Sequence, residues 1–215
     1  KVAWLVKALN NSPYSLLTVT FTNKAANEMK GRIESILREE MSDFWCGTFH
    51  GIAHRLLRRH WEESNLRKEF AILDSEDQYR VIKRVCKSMS VDETKWPARQ
   101  IQWYINKEKD ECRRANQAES DDDYFAEQMT KVYYEYEQLC ERESLVDFGE
   151  LLLRSLILLS SNKELLSHYQ NRFKHILVDE FQDTNEVQYR LLSLIKGKES
   201  TYTAVGDDDQ SIYGW

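Results

Sequence analysis

The sequence predicts an α/β protein: a parallel-sheet domain whose chain is interrupted by a long helical insertion. Three observations predict this. Short apolar, strand-like runs at 16–21, 45–49, 176–179 and 201–205 occupy the two ends of the chain. Runs of this kind lead into helical stretches, the strand-turn-helix order that builds parallel sheets. Between the two ends, from about 51 to 173, helical periodicity runs almost unbroken.

The elements follow in order. "LLTVTF" at 16–21 is rich in Thr, Val and Phe, and Asn23 then opens a helix with Ala25, Met29, Ile33 and Leu37 every four residues. A second short strand at 45–49 precedes a helix bearing Ile52, Leu56 and a basic face of Arg55, Arg58 and Arg59. That face suits phosphates as well as it suits plain solvation. Asp74 caps a helix with Glu76 and Asp77 in its first turn, and Pro97 opens another. A long helix carries Phe125, Met129, Val132, Tyr136 and Leu139, preceded by an acidic start at 121–123. Asp147 and Glu150 resemble a capping box before a leucine-rich helix. After Phe173 the α/β texture returns, with a helix bearing Val187, Leu191, Leu194 and Ile195 between two strands. The expected domains are therefore 1–50 with 174–215, and an inserted helical subdomain at 51–173.

Bulk composition limits the function classes. The chain has 215 residues, 41% hydrophobic and 31% charged, which describes a globular protein with a real core. Its longest uncharged apolar run, 155–161, falls far short of the roughly 20 residues a membrane helix needs, so no membrane partner and a cytoplasmic location are expected. A net charge of -6 argues against a generally basic nucleic-acid coat but leaves room for a local basic groove. The four cysteines form no CxxC pair, and His54 and His60 have no metal-spaced partner. Reduced structural thiols are expected. Lys1 is not an initiator Met and Trp215 follows directly on a polar turn, so the sequence reads as a fragment of a longer chain.

The candidate chemistry lies in "HILVDEFQDTN". If 176–178 is a strand buried on both faces, Asp179 and Glu180 stand at its C-terminal end, where open α/β sheets bind ligands. Periodicity alone does not separate such a run from a buried helix segment. An Asp there, with a Glu beside it, suits Mg²⁺ nucleotide chemistry, since the hard cation needs one or two carboxylates and the second acid can deprotonate a water. Strand alternation would point the two acids to different sides. The competing reading makes them a polar edge leading to a helix N-cap at Asp183 or Thr184. "GDDDQ" at 206–210 ends another strand and would place Gln210 beside the same nucleotide; its competing reading is a polar turn. None of the 7 glycines makes the phosphate loop GxxxxGK[ST].

Five stretches, "TFTNKAANEMKGRI", "GTFHGIAHRLLRRHW", "LVDFGELLLRS", "ILVDEFQDTNEVQYRLL" and "VGDDDQSIYGW", stand in an order that closely resembles the UvrD/Rep/PcrA group of superfamily 1 DNA helicases, over nearly the whole chain. The resemblance implies an ATP- and Mg²⁺-dependent 3′ to 5′ translocase that unwinds DNA in excision and mismatch repair, with a RecA-like motor domain lacking its phosphate-loop strand here. It implies that Asp179 binds Mg²⁺ through nucleotide, Glu180 activates the hydrolytic water and Gln210 senses the γ-phosphate. It also implies contacts to single-stranded DNA from Phe21, Thr22, Thr48, His50, Tyr213 and Trp215. Implied partners are single-stranded DNA, single-to-double-strand junctions and repair proteins on the nucleoid. For Phe21 the residues themselves favour a strand core position. Two other function classes compete: a non-catalytic DNA-binding or protein-docking module that kept the motor fold, and a Mg²⁺ nuclease built on Asp179, Glu180 and Asp207.

Overall fold

A computed structural model describes residues 1–38, 44–118, 124–207 and 209; the acidic start 121–123, Gln210, Tyr213, Trp215 and the side chain of Phe125 lie outside the described residues. In chain order the elements are α1 (Val2–Lys7), β1 (Leu16–Thr20), α2 (Asn23–Leu37), β2 (Trp45–Thr48), α3 (Phe49–Arg59), β3 (Ala71–Leu73), α4 (Ser75–Ser88), α5 (Ala98–Asp110), α6 (Tyr124–Glu143), β4 (Leu145–Asp147), α7 (Phe148–Ser161), α8 (Lys163–Arg172), β5 (His175–Val178), α9 (Glu186–Ile195) and β6 (Thr201–Ala204). The chain divides into two compact units, Lys1–Leu56 with Ser155–Trp215, and Leu57–Arg154. These limits are narrower than 51 and 173, because a helical period shows that a helix has a buried side but not which core receives it. Helix α8 is the example: its Tyr169, with Phe173 just after it, packs at 5.6 and 5.5 Å from the Trp45 ring of β2.

In the first unit the strands form a parallel sheet of order β2-β1-β5-β6. All five residues of β1 are buried, as the continuous apolar-and-Thr run of a central parallel strand requires. The chain leaves β1 through α2 to form β2 on one side, then returns later to form β5 on the other. Because all neighbours are parallel, the C-terminal ends of the four strands share one rim, with the change of direction between β1 and β5. That crevice is where open α/β sheets bind ligands.

One sheet face is covered by α1 and α2, whose Val2, Leu5, Ile33 and Leu37 pack with Leu16 and Leu177. Near the opposite end of β2, the Arg55 guanidinium lies 4.6 Å from the Trp45 ring and donates to the Phe44 carbonyl. In the second unit Arg58 stacks 3.8 Å from the Phe70 ring and donates to the carbonyls of Lys68 and Phe70. The basic face read from the sequence is thus largely committed to internal contacts, at two of its three arginines.

The second unit is helical apart from a two-stranded parallel pairing of β3 with β4. Helices α4, α5 and α6 share a core of Ile82, Val85, Ile101, Ile105, Val132 and Tyr136. Inside it lies a buried ionic network. Lys109, 2% exposed, reaches Asp147 at 2.7 Å and Glu150 at 3.3 Å. Glu150 is also held by Arg114 and Arg154, both at 2.6 Å. Gly149 makes this approach feasible, since a Cβ there would sit 3.2 Å from the Lys109 Cβ and Cδ. The capping box expected at Asp147 is half formed: Asp147 Oδ1 accepts the Glu150 N–H at 2.7 Å, but the Glu150 carboxylate is taken by the cations.

Burial alone would raise the Glu150 pKa, but Lys109, Arg114 and Arg154 outweigh it and hold the carboxyl well below its ordinary 4.5. A group depressed on folding stabilises above its unfolded pKa and loses that contribution as pH falls through the folded one. Thermal stability is therefore expected to fall below pH 4.5, and more steeply in wild type than in Glu150→Gln. Parallel melting curves for the two proteins, taken from about pH 6 to about pH 3, check this; equal slopes would contradict it.

Burial also pushes the Cys46 and Cys140 thiols up, to about 11 and about 12, which keeps both protonated and unreactive. No helix among the described residues is long and apolar enough to cross a membrane.

Candidate nucleotide and DNA rim

Strand β5 ends at Val178, and the Asp179 N–H extends the ladder by donating to the Val19 carbonyl at 3.0 Å. Asp179 is exposed and Glu180 half-buried. Glu180 adopts left-handed backbone, φ 55° and ψ 42°, a conformation that costs a non-glycine residue about 1–3 kcal/mol and persists only where neighbours enforce it. Glu180 therefore lies in a sharp turn rather than in the strand, so strand alternation does not set the directions of the two acids. A single 3₁₀ turn, Phe181–Asp183, follows.

The enforcing contacts come from both sides of the turn. Asp179 Oδ1 accepts the Glu180 N–H at 3.2 Å, and the Glu180 carbonyl accepts from Asp183 N at 3.1 Å. The Phe181 N–H donates to the Val205 carbonyl at 2.9 Å, and Val205 N to Val178 O at 2.9 Å, so the turn is tied to the end of β6. Gln182 Oε1 accepts the Asp207 N–H at 3.2 Å. From the sequence, Gln182 carries no role and Gly206 marks only the start of the strand-end cluster 206–210. The only signal for them was a glycine immediately after a strand.

The cap of the next helix lies beyond both positions expected for it. Helix α9 is capped by Asn185, in a full capping box with Gln188. Asp183 and Thr184, the positions expected to cap, instead bury Oδ1 and Oγ1 without a hydrogen-bond partner. Beside Asp179 a cavity of about 380 Å³ opens between the sheet and helices α1 and α2, its lining including Lys1, Thr18, Glu28, Arg32 and Thr203. That is within the size range of small-molecule sites.

Among the described residues no three His, Cys, Asp or Glu side chains gather as a metal cage. Mg²⁺ does not need one, since it takes one or two carboxylates and completes its shell with water and phosphate oxygens. Asp179 at the rim fits that requirement.

The other half of the rim carries different chemistry. Phe21, the residue after β1, is half-buried with its ring 5.3 Å from Phe49, edge to face. Thr22 is exposed and caps α2 by accepting the Ala25 N–H at 3.1 Å. Thr48, at the end of β2, is buried and accepts the Gly51 N–H at 3.1 Å. His50 is half-buried, and burial lowers its pKa, so its ring is neutral at pH 7. Thus β1 and β2 bring Phe21, Thr22, Thr48 and His50 to the same rim on which β5 places Asp179 and Glu180. Gln210, Tyr213 and Trp215 lie outside the described residues.

The UvrD/REP helicase N-terminal domain family matches residues 1–215. DNA helicase II of Salmonella typhimurium and of Escherichia coli are each 51% identical over 215 residues, and ATP-dependent DNA helicase PcrA of Staphylococcus aureus (strain Mu50) is 38% identical over 216. Each match covers the whole of this chain and 30% of the relative, so the chain spans less than a third of the proteins it resembles. With a family match across its full length and these relatives, the chain belongs to the UvrD/REP helicase N-terminal domain family.

Proposed function

We propose that the protein carrying this chain is an ATP-driven DNA helicase, and that this segment is part of its first motor domain with an inserted helical subdomain. What supports the reading is one observation: a single rim bears two acids at the end of β5 and, at the ends of the next two strands β1 and β2, an aromatic ring, two hydroxyls and a neutral imidazole. The first set suits nucleotide and the second suits single-stranded DNA. Relatives named DNA helicase II and ATP-dependent DNA helicase PcrA agree with it.

In this reading Asp179 holds Mg²⁺ through the nucleotide, Glu180 takes the proton from the attacking water, and Gln210 reports on the γ-phosphate. Bound Mg²⁺ supplies charge neutralisation on the phosphoryl oxygens. Phe21, with Thr22, Thr48, His50, Tyr213 and Trp215, holds the strand by stacking and by contacts that ignore base identity, as a motor moving 3′ to 5′ over any sequence requires. The work is unwinding at single-to-double-strand junctions during excision and mismatch repair, with repair proteins as partners on nucleoid DNA. The segment alone does not hydrolyse ATP, because its glycines form no phosphate loop.

The test is ATP hydrolysis by the full-length protein with and without a single-stranded oligonucleotide. Strong stimulation is expected; salt-dependent binding without hydrolysis would leave a docking module in place of a motor. Phe21→Leu keeps an apolar contact for Phe49 but removes the stacking face. It is expected to weaken single-strand binding by about 1–3 kcal/mol in fluorescence anisotropy, with Phe21→Trp near wild type. Equal affinities for all three would remove Phe21 from the interface.

A further inference from the structure

The left-handed Glu180 raises a question that the proposed chemistry does not answer: what keeps a strained residue in place where a proton must be taken from water. Three contacts join the turn after it to β6 and the residues that follow it. The first, Phe181 N–H to the Val205 carbonyl at 2.9 Å, is backbone and independent of residue type. The other two are made by side chains. Gln182 Oε1 accepts the Asp207 N–H at 3.2 Å, and the Phe181 ring leans edge-on against Tyr202 of β6, with centroids 6.3 Å apart.

Gly206 lies between these contacts. A Cβ there would stand 2.6 Å from Gln182 Oε1 and 3.2 to 3.3 Å from the backbone nitrogens of Gln182 and Phe181. Among the described residues no glycine has positive φ, so Gly206 serves space rather than backbone freedom. The absent side chain at 206 is what lets the Gln182 amide reach Asp207.

We propose that Gln182 is a positioning residue for ATP hydrolysis, holding Glu180 in its left-handed conformation by fastening the Phe181–Asp183 turn to the end of β6. The inference rests on the motor reading above. The causal chain is short. Freeing the Gln182 amide removes one of the ties between the turn and the end of β6, the strain at Glu180 relaxes toward ordinary backbone, and its carboxylate leaves the position from which it meets water. Catalysis by a positioned base is steep in distance, so kcat falls while nucleotide and DNA still bind.

The experiment uses the full-length protein with Gln182→Met, Gly206→Ala and the double variant, beside wild type and Glu180→Gln. Met keeps the length of Gln without the acceptor. Ala at 206 expels the amide because its nearest contact is the far end of that flexible side chain, while the backbone nitrogens of Gln182 and Phe181 have to give by only a few tenths of an ångström. Exchange of the Asp207 amide is expected to quicken about tenfold in either single variant. For DNA-stimulated hydrolysis, kcat is expected to drop about tenfold or more in each, with KM within about twofold. The double variant is expected to match the worse single variant, because both break one contact.

Unchanged kcat with a freed Asp207 amide would overturn the positioning role, and multiplied losses in the double variant would overturn the shared contact. A rise in KM with kcat intact would also overturn the proposal. If wild type hydrolyses and Glu180→Gln does not, the motor reading stands whatever the Gln182 variants do. If wild type fails to hydrolyse, motor reading and positioning role fall together, while the exchange rates still decide whether the tie exists.

Discussion

Replacing Glu180 with glutamine in the full-length protein is expected to lower the kcat of DNA-stimulated ATP hydrolysis by about 10²- to 10⁴-fold, the range for loss of a general base. The substitution is unusually clean at this position. Glutamine matches glutamate in size and in tolerance of the left-handed region, so φ 55° should persist. The Glu180 side chain caps nothing, and its local ties run through its own N–H and C=O. Stability, KM for ATP and single-strand affinity should therefore hold within about twofold, which confines the loss to the chemical step. Steady-state hydrolysis, oligonucleotide anisotropy and a melting curve together decide it. Retained turnover, or a parallel loss of DNA binding, would remove Glu180 from the role of base.

Why Glu180 was legible in the sequence and its support was not is a matter of range. An apolar run ending in acids is a local signal: β5 must be hydrophobic because α/β layers cover both its faces, and the acids begin where the strand meets the rim. The same logic exposes β1, whose five residues are all buried. The left-handed turn at Glu180 and the close pass of Gln182 over Gly206 join residues more than twenty positions apart, and no local pattern encodes them. Pairing of β3 with β4 is hidden for the same reason, since each strand is three residues long and its partner lies over seventy residues away. Charged helix faces mislead in the opposite direction. Arg55 and Arg58 read equally as phosphate contacts or as a solvated face, but lie on Trp45 and Phe70. The charged stretch "INKEKDE" likewise gives no local sign that its Lys109 is buried in the core.

That lysine gives the largest expected effect on stability. Lys109→Met should destabilise the protein by about 3–5 kcal/mol, the usual result of removing one partner from a buried ion pair. The shape of the site is nearly kept, since methionine follows the same path past Gly149. What changes is electrical, and it does not fall equally on the two acids. Glu150 retains Arg114 and Arg154 at 2.6 Å each. Asp147, 3% exposed, loses its only cation among the described residues and keeps neutral donors: the Tyr136 hydroxyl at 2.7 Å, the Gln78 amide at 3.2 Å and the Glu150 N–H at 2.7 Å. Burial by itself would push the Lys109 ammonium toward neutrality, but Asp147 and Glu150 raise its pKa instead, so the charge lost is a full one at neutral pH. The cost should therefore be concentrated on Asp147, and Asp147→Asn should relieve it. Asparagine still offers Oδ1 to cap α7 while carrying no charge. In denaturant titrations the double variant is expected to recover about half of the single variant's loss, by a shift of midpoint at constant slope. A single-variant loss below about 1 kcal/mol, or a double variant worse than the single, would mean that the network contributes little beyond packing.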